Sequence, residues 1–134
     1  MSSIYRITIL ENELRQLLTR MPSIRDTVIV SSDGFVVAAC SEEDLTGQEA
    51  NSPQIAAMTA AIIGLSEQTL MRLAQGHISR LLIEGDDGAI IVLPVKGASV
   101  ALAVLIGKDA KTGLIMHEIG KTADALGDLL ANYG

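Results

Sequence analysis

The stretch SPQIAAMTAAIIGLSEQTLMRLA, Ser52 to Ala74, reads as a single helix with two apolar faces and almost no side left for water. Ser52 suits an N-cap, and Pro53 falls in the first turn, where its missing N–H costs nothing. From Pro53 to Ser66 there is no charged residue, so the solvated stripe of a surface helix is missing and both sides call for a cover. At about 100° per residue, Ile55, Met58, Ile62, Leu65, Leu70 and Leu73 fall on one broad side, the expected core face. Ala57, Ala60, Ala61 and Gly64, followed by Gln68 and Met71, form the other, whose small side chains admit a second helix. Glycine inside a helix costs roughly 1 kcal/mol against alanine, so Gly64 is either a packing residue or a tolerated one. The expectation is a bulky face on a sheet and a small face against a second helix, its own copy in a dimer or another element of the monomer. The uncharged run is shorter than the ~20 residues of a bilayer span, and Glu67 and Arg72 follow it.

Around this helix the pattern alternates. Ile7, Leu10, Leu14, Leu17, Leu18 and Met21 recur at helical spacing and stop before Pro22. Ser23 to Asp26 read as a connection, Thr27 to Ser31 as a strand, Ser32-Asp33-Gly34 as a turn and Phe35 to Ala39 as the antiparallel partner. Cys40 to Asn51 is polar and acidic, an exposed loop and the segment most prone to disorder. Beyond Gly76 come three strands, Ile78 to Glu84, Ala89 to Val95 and Val100 to Ile106, joined by Gly85-Asp86-Asp87-Gly88 and Lys96-Gly97-Ala98. Ala89 to Val95 is apolar at nearly every position, as expected of a strand covered on both faces. A third helix, Thr112 to Leu130, aligns Ile115, Ile119, Ala123, Leu126, Leu129 and Leu130.

The expected architecture is α+β, one domain over residues 1–134: a five-stranded antiparallel sheet between the central helix on one face and the two terminal helices on the other. If Ile78 to Glu84 is an edge, dimerisation through it continues the sheet, with Ile78, Arg80, Leu82 and Glu84 at the junction.

Composition bounds the function. The 134 residues are 49% hydrophobic but 2% aromatic, so the core is built from aliphatic side chains. A net charge of −6 and few rings argue against nucleic acid and against anionic membrane surfaces. One cysteine, Cys40, excludes an internal disulfide, and the N-terminal residues lack a signal peptide's apolar block, so a cytoplasmic protein is expected.

Chemistry is sparse. His77 and His117 have no partner at metal-ligand spacing, and His77 suits the C-terminal end of a helix dipole. Cys40 reads as structural. Gly85 to Gly88 lacks the oxygen ligands of a calcium loop and is explained by a hairpin. No general acid–base pair, phosphate loop or dinucleotide fingerprint is present, which argues against an enzyme and leaves no cofactor to bind. A ligand-binding sensory domain on a similar sheet is the alternative class, but such a pocket usually recruits convergent polar groups and aromatics.

Val28 to Gly34, Ile55 to Leu65 and Leu81 to Gly85 together resemble the roadblock / dynein light-chain superfamily, nearest its small bacterial members that accompany gliding, polarity and other Ras-like GTPases. The resemblance spans about Leu10 to Leu130. It implies dimerisation by pairing the strand after the central helix, here Ile78 to Glu84, with central helices side by side through Ala57, Ala60, Ala61 and Gly64. It further implies a non-enzymatic adaptor that binds a small GTPase, in some relatives stimulating hydrolysis without donating a catalytic group, or a structural scaffold subunit. Gln54, Gln68, Met71 and Arg72 are the candidate GTPase contacts. An arginine finger is disfavoured for Arg72, which Gln68 or Glu67 can hold, and for Arg80, which serves as an edge-strand charge.

Overall fold

The computed structural model describes residues 3–42 and 52–133. Its elements are α1 (Ser3–Arg20), β1 (Ile24–Ser31), β2 (Val36–Ser41), α2 (Ser52–Arg72), β3 (Leu81–Gly85), β4 (Gly88–Pro94), β5 (Val100–Gly107) and α3 (Thr112–Tyr133). The strands form one sheet in the order β2-β1-β5-β4-β3, every neighbouring pair antiparallel. The helix and strand order is the one the sequence pattern demands. The expected disorder of the acidic segment falls mostly on residues 43–51, outside the described residues.

Alternation along each strand separates two cores. Ile29, Ile91, Leu102, Val104 and Ile106 point to one face, where they meet Leu10, Leu14 and Leu17 of α1 and Ile115, Ile119 and Leu126 of α3. The intervening Val28, Val30, Val92, Ala101 and Ala103 point to the other face and meet Ala56 of α2. The side chains differ in size for a reason. Two helices over the first face leave volume that branched aliphatics fill, whereas one helix on the second lies close over valine and alanine.

Strand limits shift from the sequence reading. β1 begins at Ile24, because Ile24 pairs with Ile106 and Gly107 donates to the Ser23 carbonyl, lengthening the ladder into the supposed connection. β2 runs on through Cys40 and Ser41, paired with Thr27 and Asp26, so the cysteine lies within the strand and is buried. The Thr27 hydroxyl donates to the Cys40 carbonyl, satisfying a fully buried polar group. β3 is shorter than expected: Ile78, Ser79 and Arg80 precede it as connector.

The facing of α2 needs a larger correction. Its buried residues are Ser52, Ala56 and Thr59, with Ile55, Ala60 and Ile63 half-buried against the second core. Of the expected core face, Met58 is 56% exposed, Leu65 68% and Leu73 64%. The helix is thus turned by about a quarter turn from the sequence expectation. When apolar residues surround a helix, periodicity gives no dominant direction, and fit to the opposing surface decides. Here that surface is a floor of small and β-branched strand residues, which accepts Ala56, Thr59 and Ala60.

Candidate interaction surface

The outward side of α2 is a crest. Gln54, Ala61, Gln68 and Arg72 share one line along it and all are exposed. Ala57 and Gly64 lie on one flank, Met58 and Leu65 on the other, again exposed. The charge-free run from Pro53 to Ser66 therefore covers most of a solvent-facing helix, with Met71 71% exposed where it ends. That is an unusual amount of bare apolar surface for one element.

One flank is partly occupied within the chain. Gly34, in the β1–β2 turn with φ 86°, sits so close that a Cβ there would lie 3.4 Å from the Ala60 Cβ and 3.7 Å from the Ala57 Cα. Ala60 thus packs inward, while Ala57, Ala61 and Gly64 stay open to solvent. Next to this contact Phe35, the only phenylalanine in the chain, is 70% exposed.

The C-terminus of α2 is tied to the edge of the sheet. Gln75 N–H donates to the Leu70 carbonyl and Ala74 N–H to Met71, the paired bonds of a Schellman cap, with Ala74 in the left-handed region at φ 57°. Glu67 reaches past this cap. Its Oε1 accepts the Ile78 amide at 3.2 Å, and its Oε2 lies 3.3 Å from Nδ1 of His77. The carboxylate therefore turns toward the connector rather than to Arg72, and it orients the chain that becomes β3.

Among the described residues β3 pairs with β4 alone, so its outer edge presents backbone groups without a strand partner. Leu82 pairs across from Ile91, which belongs to the terminal-helix core, and Ile83 from Ile90, which packs on the α2 side. Both β3 side chains are exposed. Of the other residues expected at this edge, Glu84 is exposed within β3, Arg80 is exposed just before it, and Ile78 is buried. Those four residues and the α2 crest thus lie on separate elements, joined through the Glu67–Ile78 bond. The sequence reading places Met58 and Leu65 on the core face and Phe35 in a strand, so none of the three is expected at this surface. The charge-free run signalled a second apolar face but not its direction.

Among the described residues, the remaining polar side chains give no reactive constellation. His117 is exposed on α3, and Glu118 lies between Arg20 at 3.9 Å and Lys121 at 3.4 Å, an ion cluster joining α1 to α3. Gly85 to Gly88 is the β3–β4 hairpin turn, as read from sequence. Among the described residues, no group of three or more His, Cys, Asp or Glu is placed to hold a metal ion, and no helix is long and apolar enough to cross a membrane.

The Roadblock/LC7 domain family matches residues 10–105 of the chain. No curated protein sequence matches it. Among solved structures, the Roadblock/LC7 domain from Streptomyces avermitilis superposes with a TM-score of 0.78 at 20% identity, covering 90% of this chain and 97% of that one. MglB of Myxococcus xanthus gives 0.82 at 16%, covering 94% and 90%. The gliding protein MglB of Thermus thermophilus gives 0.81 at 14%, covering 92% and 90%. At these identities the likeness establishes the shared fold.

Proposed function

The chain belongs to the Roadblock/LC7 domain family, and from that premise we propose that it is a non-enzymatic, homodimeric adaptor of the cytoplasm that binds and regulates a small Ras-like GTPase. The observation that carries this reading is the bare α2 crest together with the open outer edge of β3. Exposed Met58, Leu65 and Met71 on a charge-poor helix suit burial by another protein, and the free backbone of Leu81 to Gly85 suits a second strand. Ala57, Ala61 and Gly64 allow a second α2 to approach closely. Ala60 supports that flank from within, and Arg80, Leu82 and Glu84 accompany the paired edge while Ile78 anchors it from below. Gln54, Gln68, Met71 and Arg72 then supply polar and apolar contacts to the GTPase. The family likeness and the gliding-protein neighbours in the same fold support a GTPase as the partner. Regulation of hydrolysis proceeds by positioning the GTPase's own groups, with no arginine donated from this chain.

Two measurements test the reading. Light scattering of Ala61→Glu and Leu65→Glu should report monomer with an unchanged circular dichroism spectrum; a dimer untouched by both rejects the interface. Affinity capture from the native cytosol with a GTP analogue or GDP should recover a Ras-like GTPase mainly with the analogue. Capture of none in either state removes the regulatory role.

A further inference from the structure

Between α2 and the β4–β5 turn lies a cleft of about 250 Å³. Val30, Ala60, Ile63 and Ala101 give it apolar walls, Ser31, Ser32 and Ser99 also line it, and among the described residues Glu67 is the single charged residue along it. Gly64 completes the helical wall, where a Cβ would meet nothing within 4 Å. The Glu67 side chain is 36% exposed, and each carboxylate oxygen has one partner, the Ile78 amide or the His77 ring. A carboxylate oxygen accepts two hydrogen bonds, so acceptor capacity remains on both. With apolar side chains over most of its wall, neutral serine hydroxyls and one carboxylate as its charge, the cleft disfavours anions and leaves a purely apolar occupant with a charge to desolvate.

We propose that this cleft receives a basic side chain, arginine or lysine, presented by a protein partner. The alkyl stem lies along Val30, Ala60 and Ile63, and the cationic head reaches Glu67. Long basic side chains divide in this way between apolar surface and a polar rim. A charge-assisted hydrogen bond at a half-shielded carboxylate is also stronger than its surface counterpart. The acidic balance of the chain, −6, favours a partner with a basic contact region. That the donor is a protein rests on the adaptor function proposed above; the preference of the cleft for a cation on an alkyl stem does not.

The test titrates the purified, isotope-labelled full chain with n-butylguanidinium at constant ionic strength, with n-butanol as the neutral control. Saturable amide shifts at Ala60, Ile63, Gly64 and Ala101 are expected with the cation and not with the alcohol. Glu67→Gln keeps an acceptor for the Ile78 amide but removes the charge, and should weaken binding about tenfold, the loss of one charge-assisted bond. Ile63→Ala, which removes part of the apolar wall outside the proposed helix–helix contact and leaves Glu67 in place, should weaken it as well and decides the matter if Glu67→Gln fails to fold. Equal shifts with cation and alcohol, or unchanged affinity in the folded variants, overturn the proposal. If cation binding survives while no GTPase is captured, the adaptor function falls alone; if a GTPase is captured but the cation does not bind, the cleft proposal falls alone.

Discussion

At the scale of single residues, three positions hold conformations or contacts that set stability. Gly88 has φ 157°, and a Cβ there would overlap the Ile106 carbonyl oxygen across the β4–β5 ladder. Backbone cannot move aside as a flexible side chain can, so Gly88→Ala should cost about 2 kcal/mol or more, read as a fall in the urea midpoint. Ala74 is the opposite case. It holds the left-handed C-cap of α2, a conformation that costs an L-residue roughly 1–2 kcal/mol and glycine almost nothing. Part of that gain is lost to the larger freedom of glycine in the unfolded chain. Ala74→Gly should therefore raise stability by about 0.5–1 kcal/mol, seen as a rise in Tm of a few degrees. Thr59 is fully buried on the sheet side of α2, and among the described residues its hydroxyl oxygen has no hydrogen-bond partner. Thr59→Val removes an unpaired polar group while keeping the shape, and should stabilise by about 1 kcal/mol with an unchanged denaturant slope.

At the scale of elements, α1 and α2 obey different rules although both are rich in aliphatic side chains. The apolar stripe of α1 is flanked by charges, so only one orientation buries it, and Leu10, Leu14 and Leu17 are inaccessible as their spacing requires. Leu14→Ala should cost about 3 kcal/mol by cavity formation, whatever the protein concentration. α2 carries no such constraint over its charge-free part. There, Leu65 is exposed in one copy of the chain, and Leu65→Ala should leave the unfolding of a dilute monomer almost unchanged. If α2 lies against a second copy, the same variant instead removes the dependence of Tm on concentration that dimerisation imposes. Differential scanning calorimetry over a concentration series separates the two outcomes.

At the scale of the whole molecule, the two faces of the sheet divide labour. The terminal helices seal the thick core of branched aliphatics, while the single helix on the thin face leaves its crest and the β3 edge open to solvent. The adaptor function proposed above would act through placement. Arg72→Ala, exposed on the crest, should change stimulated GTP turnover by no more than a few-fold, whereas loss of a catalytic arginine costs about 10³–10⁵. Single-turnover hydrolysis with the captured GTPase checks this, and a loss in the larger range makes Arg72 a donated catalytic group.

Strand alternation, helix periodicity and turn chemistry are local signals, and they were enough to specify eight elements, their order, the antiparallel sheet and the division of helices between its faces. Val28 and Val30 against Ile29, or Ala101 and Ala103 against Leu102 and Val104, already encode two cores, because successive side chains of a strand must point to opposite sides. Three features depended on contacts remote in sequence. The start of β1 followed from pairing between Ile24 and Ile106, the burial of Cys40 from its ladder with Thr27, and the tether of β3 from Glu67 reaching Ile78. The rotation of α2 was a fourth such decision and the largest. With apolar residues on every side, the helix had no preferred face of its own, and the shallow floor of Val28, Val30, Ala101 and Ala103 selected Ala56, Thr59 and Ala60 while turning Met58 and Leu65 to solvent.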